Sequence, residues 1–220
     1  MGKKILITGA TGFLGGEIYN YLNGENHQIV TLGRDSRSNI ECDLSKEAPL
    51  LVNENMEVII HAAGKAHIVP KTEAEIKDFY DVNAKGTINL LDSLKDNLPQ
   101  TFIFISTVAV YGREVGESID EKFSLLGNTA YALSKIQAER SIIDFGTSNN
   151  IKTVILRLPL VTGNKPLGNL GAIIKAIDKG YYFRIGKGDA RKSIIAASDV
   201  AALIPELFDL NGVYNLTDIN

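Results

Sequence analysis

The sequence holds a single cysteine, Cys42, in 220 residues. No disulfide can close within the chain, and a reducing compartment, the cytoplasm, is the expected setting. No apolar run approaches the roughly 20 residues that a bilayer-crossing helix requires; the longest, such as Phe102–Ile105, stop far short, so no membrane partner is expected. A secretory leader is not expected either, because Met1-Gly2-Lys3-Lys4 runs at once into a short strand-like segment ending in Thr8-Gly9. Positive charge is not in excess: 23 Lys+Arg stand against 26 Asp+Glu, a formal net charge of −3, which argues against a nucleic-acid partner. The three histidines, His27, His61 and His67, share no short spacing with Cys42 or with carboxylates, so no metal centre is expected. What is present is an ordinary globular composition, 45% hydrophobic and 22% charged, enough for one domain with a small lobe.

Short apolar runs rich in Ile, Val and Phe recur along the chain at Lys4–Thr8, Gln28–Leu32, Glu57–His61, Thr101–Ser106 and Lys152–Leu158. Each is nearly continuous rather than alternating, the pattern of strands buried on both faces of a parallel sheet. Between them lie segments of helical spacing, with Phe13, Ile18, Tyr21 and Leu22 on one face and Phe79, Val82, Ile88, Leu91 and Leu94 on another. A third helix is predicted from about Asn128 to Phe145. Strands alternating with helices predict an α/β, doubly wound parallel sheet. After Leu158 glycine and proline crowd the chain, with helical patterns only near Asn169–Lys179 and Ser198–Leu210. The predicted division is a sheet domain over 1–160 and a smaller lobe over 161–220, in which Gly212–Leu216 reads as one more strand.

The first strand runs into Thr8-Gly9-Ala10-Thr11-Gly12-Phe13-Leu14-Gly15. In this G-x-x-G-x-x-G spacing Gly9 permits a tight turn, Gly12 lets a pyrophosphate approach the backbone, and Gly15 allows helix to pack on strand. The helix end that follows, at Phe13 and Leu14, offers N–H groups and partial positive charge to phosphates. At the end of the second strand an acidic residue would take the ribose hydroxyls of NAD, but Gly33 fills that place and Arg34 follows. Arg34 suits a 2′-phosphate and tilts the choice between NAD and NADP toward NADP; Asp35, one residue on, blurs it. Asp43, before Leu44, reads either as an acceptor for the adenine amino group or as a helix N-cap.

Tyr131-Ala132-Leu133-Ser134-Lys135 sets a phenol and an ammonium one helical turn apart on one face. A phenol ionises near pH 10, and a neighbouring ammonium together with an oxidised nicotinamide is expected to bring that value down toward a working base. Upstream, a strand ends in Ser106-Thr107, which puts a hydroxyl at the carboxyl edge of the sheet, where ligands of such folds bind.

Together these residues resemble the extended short-chain dehydrogenase/reductase family, in its nucleotide-sugar epimerase, dehydratase and reductase branch. The resemblance covers Thr8–Gly15, His61-Ala62-Ala63, Asn83–Leu90, Ser106–Gly112, Tyr131–Lys135, Leu156–Pro159 and Val213–Leu216. It implies a Rossmann domain that binds NAD or NADP, with a truncated substrate lobe. It implies Tyr131 as general acid/base, Lys135 as holder of the nicotinamide ribose, and Thr107 as the hydroxyl on the substrate oxygen. Ser106, Asn83, Ala62 and Ala63 would stand on the cofactor side. Asn169 and Leu170 would contact the sugar nucleotide, a UDP-sugar, and either Arg191 or Lys192 its diphosphate. The 4,6-dehydratases of the family carry Asp-Glu after the threonine, whereas Val108 and Ala109 stand here. That leaves a 4-epimerase or a 4-keto reductase of bacterial polysaccharide sugars, and as a rival a non-catalytic dinucleotide sensor. A homodimer through a four-helix bundle is expected if Leu90, Leu91, Leu94, Ile136 and Ile142 form an outward face.

Overall fold

The computed structural model describes residues 2–51, 55–66, 68–113, 115–163, 168–183 and 192–217, with the backbone alone for 168–170. The chain runs through β1 (Lys4–Thr8), α1 (Phe13–Asn23), β2 (Gln28–Gly33), β3 (Ile40–Glu41), β4 (Val58–His61) and α2 (Glu73–Phe79). A π-helical turn over Tyr80–Lys85 leads into α3 (Gly86–Ser93), then β5 (Thr101–Thr107), a 3₁₀ turn over Val108–Tyr111, α4 (Ala130–Asn149) and β6 (Lys152–Leu158). The last part holds β7 (Leu160–Thr162), α5 (Gly168–Asp178), β8 (Ile194–Ala196), α6 (Ala197–Leu203), a 3₁₀ turn over Ile204–Leu207 and β9 (Gly212–Asn215).

Seven strands pair in parallel in the order β3-β2-β1-β4-β5-β6-β9, the doubly wound Rossmann arrangement expected from the sequence. Successive residues of a strand point to opposite faces, and both faces are covered. Leu6, Ile59, Phe102, Phe104 and Ile155 pack with Leu90 and Leu91 of α3 and Ala138, Ile142 and Phe145 of α4. Ile5, Ile7, Val58, Ile60, Ile103 and Leu156 pack on the other side with Ile18 and Leu22 of α1 and Val200 and Ala201 of α6. Each such side chain contributes about 1.5–3 kcal/mol of burial, which is why these runs read as continuous rather than alternating. The sheet order turns back between β1 and β4, and at such a switch point the carboxyl ends of the strands form the crevice in which ligands of these folds bind.

Three strands escaped the sequence reading. β3, β7 and β8 have two or three residues each, too few to show a period, and among the described residues β7 pairs with β8 alone. Two elements that follow residue 160 join the main sheet and its core. β9 hydrogen-bonds to β6 as the last strand of the main sheet, and α6 puts Val200 and Ala201 into the same core as α1. Both elements therefore complete the sheet domain, although they follow the glycine-rich stretch. Of the two orientations open to Leu90, Leu91, Leu94, Ile136 and Ile142, an outward dimer face or an inward one, the structure has the inward: all five are buried within the chain, covered by the sheet and its neighbours.

Candidate active site

At the head of the crevice the turn after β1 is shaped by missing side chains. Gly9 has φ +74°, and a Cβ there would stand 2.7 Å from the Ala63 nitrogen. A Cβ on Gly15 would overlap the carbonyl oxygen of Gly9, so α1 begins pressed on its own turn. Gly12 occupies the N-cap in extended conformation; its N–H donates to the Gly9 carbonyl at 2.9 Å, and no side chain caps the helix. The first N–H groups of α1 have no intrahelical acceptors, which together with the helix dipole makes a cradle for phosphate. Thr11 is exposed at its tip, while Phe13, Leu14, Ala62 and Ala63 are half-buried around it. A dinucleotide fits this end because the cradle excludes Cβ atoms and leaves backbone donors.

The next edge follows β2. Asp35 accepts from the backbone N–H of Arg37 and from its guanidinium at 2.7 and 3.0 Å, and this hydrogen bonding lowers its pKa to about 2. Asp35 is thus tied to Arg37, which leaves Arg34 as the exposed cation directly after Gly33. Asp43 accepts from the backbone N–H and hydroxyl of Ser45 and pairs with Lys46 at 3.2 Å. It caps a turn, not a helix. Leu44 is buried, and its carbonyl accepts from Asn89 at 2.7 Å; it supports the wall beneath that edge.

The chemistry-bearing residues gather where β5 ends. Thr107 caps the 3₁₀ turn by accepting from the Ala109 N–H at 3.2 Å, and its hydroxyl lies against the phenol of Tyr131. α4 is launched by Thr129, whose hydroxyl accepts from the Ala132 N–H at 3.1 Å, so Tyr131 falls in the first turn facing β5. One turn on, Lys135 is buried with Nζ donating to the Ile105 carbonyl at 2.6 Å and lying 3.9 Å from the centre of the Phe104 ring. Burial drives its pKa down to about 7, against a partial restoration by the charge of Glu139.

The expected lowering of the phenol is not found in the chain alone. Burial raises the Tyr131 pKa, and only the Thr107 hydrogen bond opposes this. Lys135 does not lower it, because its ammonium is turned to Ile105 and its own charge is weakened by desolvation.

Two polar assemblies behind this row were not foreseen. His61 stacks on Phe104 and bonds Thr8 Oγ1 at 2.7 Å through Nδ1 and Thr87 Oγ1 at 3.0 Å through Nε2. The Thr87 hydroxyl donates to the Asn83 carbonyl at 2.6 Å, so it can only accept from His61. Nε2 therefore carries the proton, Nδ1 accepts from Thr8, and the Thr8 oxygen accepts from the Ala63 N–H at 3.1 Å. Desolvation first, and the nearby Lys135 charge second, hold His61 neutral by lowering its pKa to about 3. Asn83, on the π-helical turn, accepts from the Lys65 N–H at 2.7 Å and donates to Ser134 at 3.0 Å, bridging the loop after β4 to α4.

The second assembly surrounds Ser106. Its hydroxyl does not face the crevice as expected for a cofactor contact; it donates to Glu139 at 2.5 Å. Glu139 forms a buried ion pair with Arg157 at 2.7 Å, and Arg157 also donates to the Tyr111 hydroxyl, which donates to Asn215. An arginine inside the apolar run of β6 was the available signal, since such a charge is buried only when paired. Of the remaining sequence expectations, Lys192 is exposed, Asn169 and Leu170 are placed in α5 by backbone alone, and Arg191 and His67 lie outside the described residues.

Residues 5–216 match the model of the NAD dependent epimerase/dehydratase family. The chain is 29% identical over 226 residues to the UDP-glucose 4-epimerase of Vibrio cholerae, covering 95% of this chain and 67% of that protein. Among solved structures, RMD from Pseudomonas aeruginosa complexed with NADPH superposes with a TM-score of 0.79 at 25% identity, over 99% of this chain and 76% of that one. The Thermus thermophilus UDP-glucose 4-epimerase complex with NAD gives a TM-score of 0.79 at 23% identity, over 97% and 77%.

Proposed function

We propose, from the premise that this chain belongs to the NAD dependent epimerase/dehydratase family, that it is an NAD(P)-dependent enzyme working at C4 of a UDP-linked sugar, as a 4-epimerase. The observation that carries the reading is the row of Thr107, Tyr131 and Lys135 beside the carboxyl ends of β4 and β5, next to the glycine-built end of α1. The named activity of the Vibrio cholerae relative supports the choice of reaction.

In this reading the glycine cradle and the N–H groups at Phe13 and Leu14 take the pyrophosphate, and Ala62 and Ala63 line the channel between the two halves of the cofactor. Arg34 favours NADP by offering its free cation to a 2′-phosphate, whereas Asp35 is held by Arg37. The nicotinamide, when bound, supplies the hydride acceptor and donor. Thr107 holds the reacting oxygen, and Tyr131 removes or returns its proton. Lys135, whose ammonium is turned to the Ile105 carbonyl in the chain alone, would hold the nicotinamide ribose and support the phenolate once that ligand is bound; burial leaves its own charge balanced near neutrality. The chain places Val108 and Ala109 after Thr107, so no carboxylate there can move protons for a dehydration.

A second reading is a 4-keto reductase, favoured by the raised phenol pKa, because a protonated Tyr131 is ready to give its proton to a ketone. Incubation with UDP-glucose and catalytic NAD(P) separates the two. A 4-epimerase forms UDP-galactose without net cofactor consumption; a reductase uses reduced cofactor in proportion to a 4-keto substrate; a dinucleotide sensor does neither. The reading includes a cytoplasmic setting and a role in bacterial polysaccharide sugars, with the segment around α5 as the sugar side.

A further inference from the structure

The catalytic row has a counterpart one layer deeper, and the two are built from the same residues in sequence. Three successive positions at the end of β5 meet three positions of α4 spaced one turn apart. Thr107 lies against Tyr131, the Ile105 carbonyl takes Lys135 Nζ at 2.6 Å, and the Ser106 hydroxyl donates to Glu139 at 2.5 Å. The last of these contacts is buried on every side. The side chains of Arg157 and Glu139 are 5% and 1% exposed, and the pair is bidentate, with Nη2 at 2.7 Å and Nε at 3.2–3.3 Å. Arg157 is itself anchored by the Tyr111 hydroxyl at 3.0 Å and the Glu121 carbonyl at 3.1 Å. Nothing in the acid/base reading uses this pair, yet a buried ion pair is costly to keep and often no better for stability than apolar packing.

We propose that Glu139, gripped by Arg157 and Ser106, is a positioning residue that fixes the register of α4 on β5, and so the Tyr131–Thr107 pair, while its charge, one helical turn from Lys135, favours the ammonium over the neutral amine. The inference rests on the reading that Lys135 serves Tyr131.

The electrostatic part follows from what faces Lys135. From α4 these are Tyr131 and Glu139. From β4 there is the neutral His61, and beyond it Lys65, which is paired with Asp78 at 2.6 Å. The π-helical turn offers the uncharged Asn83, β5 offers the Ile105 carbonyl and the Phe104 ring, and β6 offers Arg157, reached only through Glu139. Glu139 is thus the anionic group that offsets the desolvation of the ammonium among the described residues. An opposite charge within about 4–6 Å moves a titration by about 1–3 units, and Glu139 stands one helical turn from Lys135 on α4.

The test is the titration of Lys135 itself, read by carbon NMR of lysines labelled at Cε and assigned by the loss of its signal in Lys135→Met. This requires no turnover, so failure of the UDP-sugar chemistry and failure of this proposal are separate results. The informative variant is Glu139→Gln with Arg157→Met, which removes both charges together and strands neither. The Lys135 midpoint, near 7 in the wild type, is expected to fall by roughly one unit. With UDP-glucose the alkaline limb of the rate profile moves down by the same amount, and kcat falls while KM holds. Should the double variant not fold, Glu139→Asp decides alone: it keeps the ion pair but draws the carboxylate back by one methylene, and the midpoint falls by a smaller amount. A Lys135 midpoint unchanged in the folded variant overturns the proposal, because a purely structural pair would leave the lysine untouched.

Discussion

The two ends of the crevice are held by opposite means. At the β1–α1 turn the site is defined by atoms that are absent: Gly9 and Gly15 leave no room for a Cβ, and the helix end remains uncapped by side chains. At the β5–α4 end it is defined by polar groups driven into the core. His61, Asn83, Ser106, Lys135, Glu139 and Arg157 are all buried, and every buried side-chain polar atom of the described residues finds a partner. A site made of absences is fragile to any added atom but indifferent to pH. A site made of buried polar groups is sensitive to charge, because each group depends on its partner in a low dielectric.

The strongest way to break that contrast is to strand a charge at the polar end. Arg157→Met leaves Glu139 buried without its partner and is expected to cost about 3–5 kcal/mol. For a domain of this size that is a fall in Tm of roughly 10 °C, measurable by thermal unfolding. The combined Glu139→Gln and Arg157→Met variant is expected to recover most of it. At the other end, Gly15→Ala pushes α1 off the Gly9 carbonyl. Overpacking of this kind costs about 1–3 kcal/mol of stability, and cofactor affinity, followed by nicotinamide fluorescence, is expected to drop at least roughly hundredfold.

The pH response sharpens the comparison further. The unfolded chain takes up a proton on His61 near 6.5, whereas the folded chain resists until about 3. Between those values the unfolded state binds more protons, so this contribution is complete above 6.5 and is lost as pH falls. The slope approaches about 1.4 kcal/mol per pH unit. His61→Gln is expected to flatten the dependence of stability on pH in that window, as read by denaturant titration at several pH values. Arg34→Ala is the mildest change. Its side chain is exposed, so stability should hold, and the ratio of NADP to NAD affinity should fall several-fold, about 1 kcal/mol or less.

The contrast also decides what could be read in advance. β1 and β6 stood in the sequence with their observed ends, because a strand buried on both faces leaves an unbroken apolar run. The glycine turn was legible for the same local reason: spacing and position carry the whole signal. The polar end was legible only in its Tyr131–Lys135 spacing and in Thr107. Ser106 looked like a crevice residue, but its strand position turns it to Glu139, a partner 33 residues away that no local pattern announces. Asp43 read as an adenine acceptor or a helix N-cap and is engaged by Ser45 and Lys46. α6 and β9 follow a long glycine-rich stretch and so were assigned to the lobe; only long-range pairing with β6 and α1 places them in the sheet domain.

The central claim, that the phenol of Tyr131 moves the substrate proton while the glycine turn binds the cofactor, separates binding from chemistry. Tyr131→Phe keeps the ring against Phe79 and removes only the hydroxyl. The direct measurement is NAD(P) affinity and UDP-glucose turnover on that variant side by side. The account predicts unchanged affinity and a loss of turnover of about 10²–10⁴-fold; turnover equal to the wild type would contradict it.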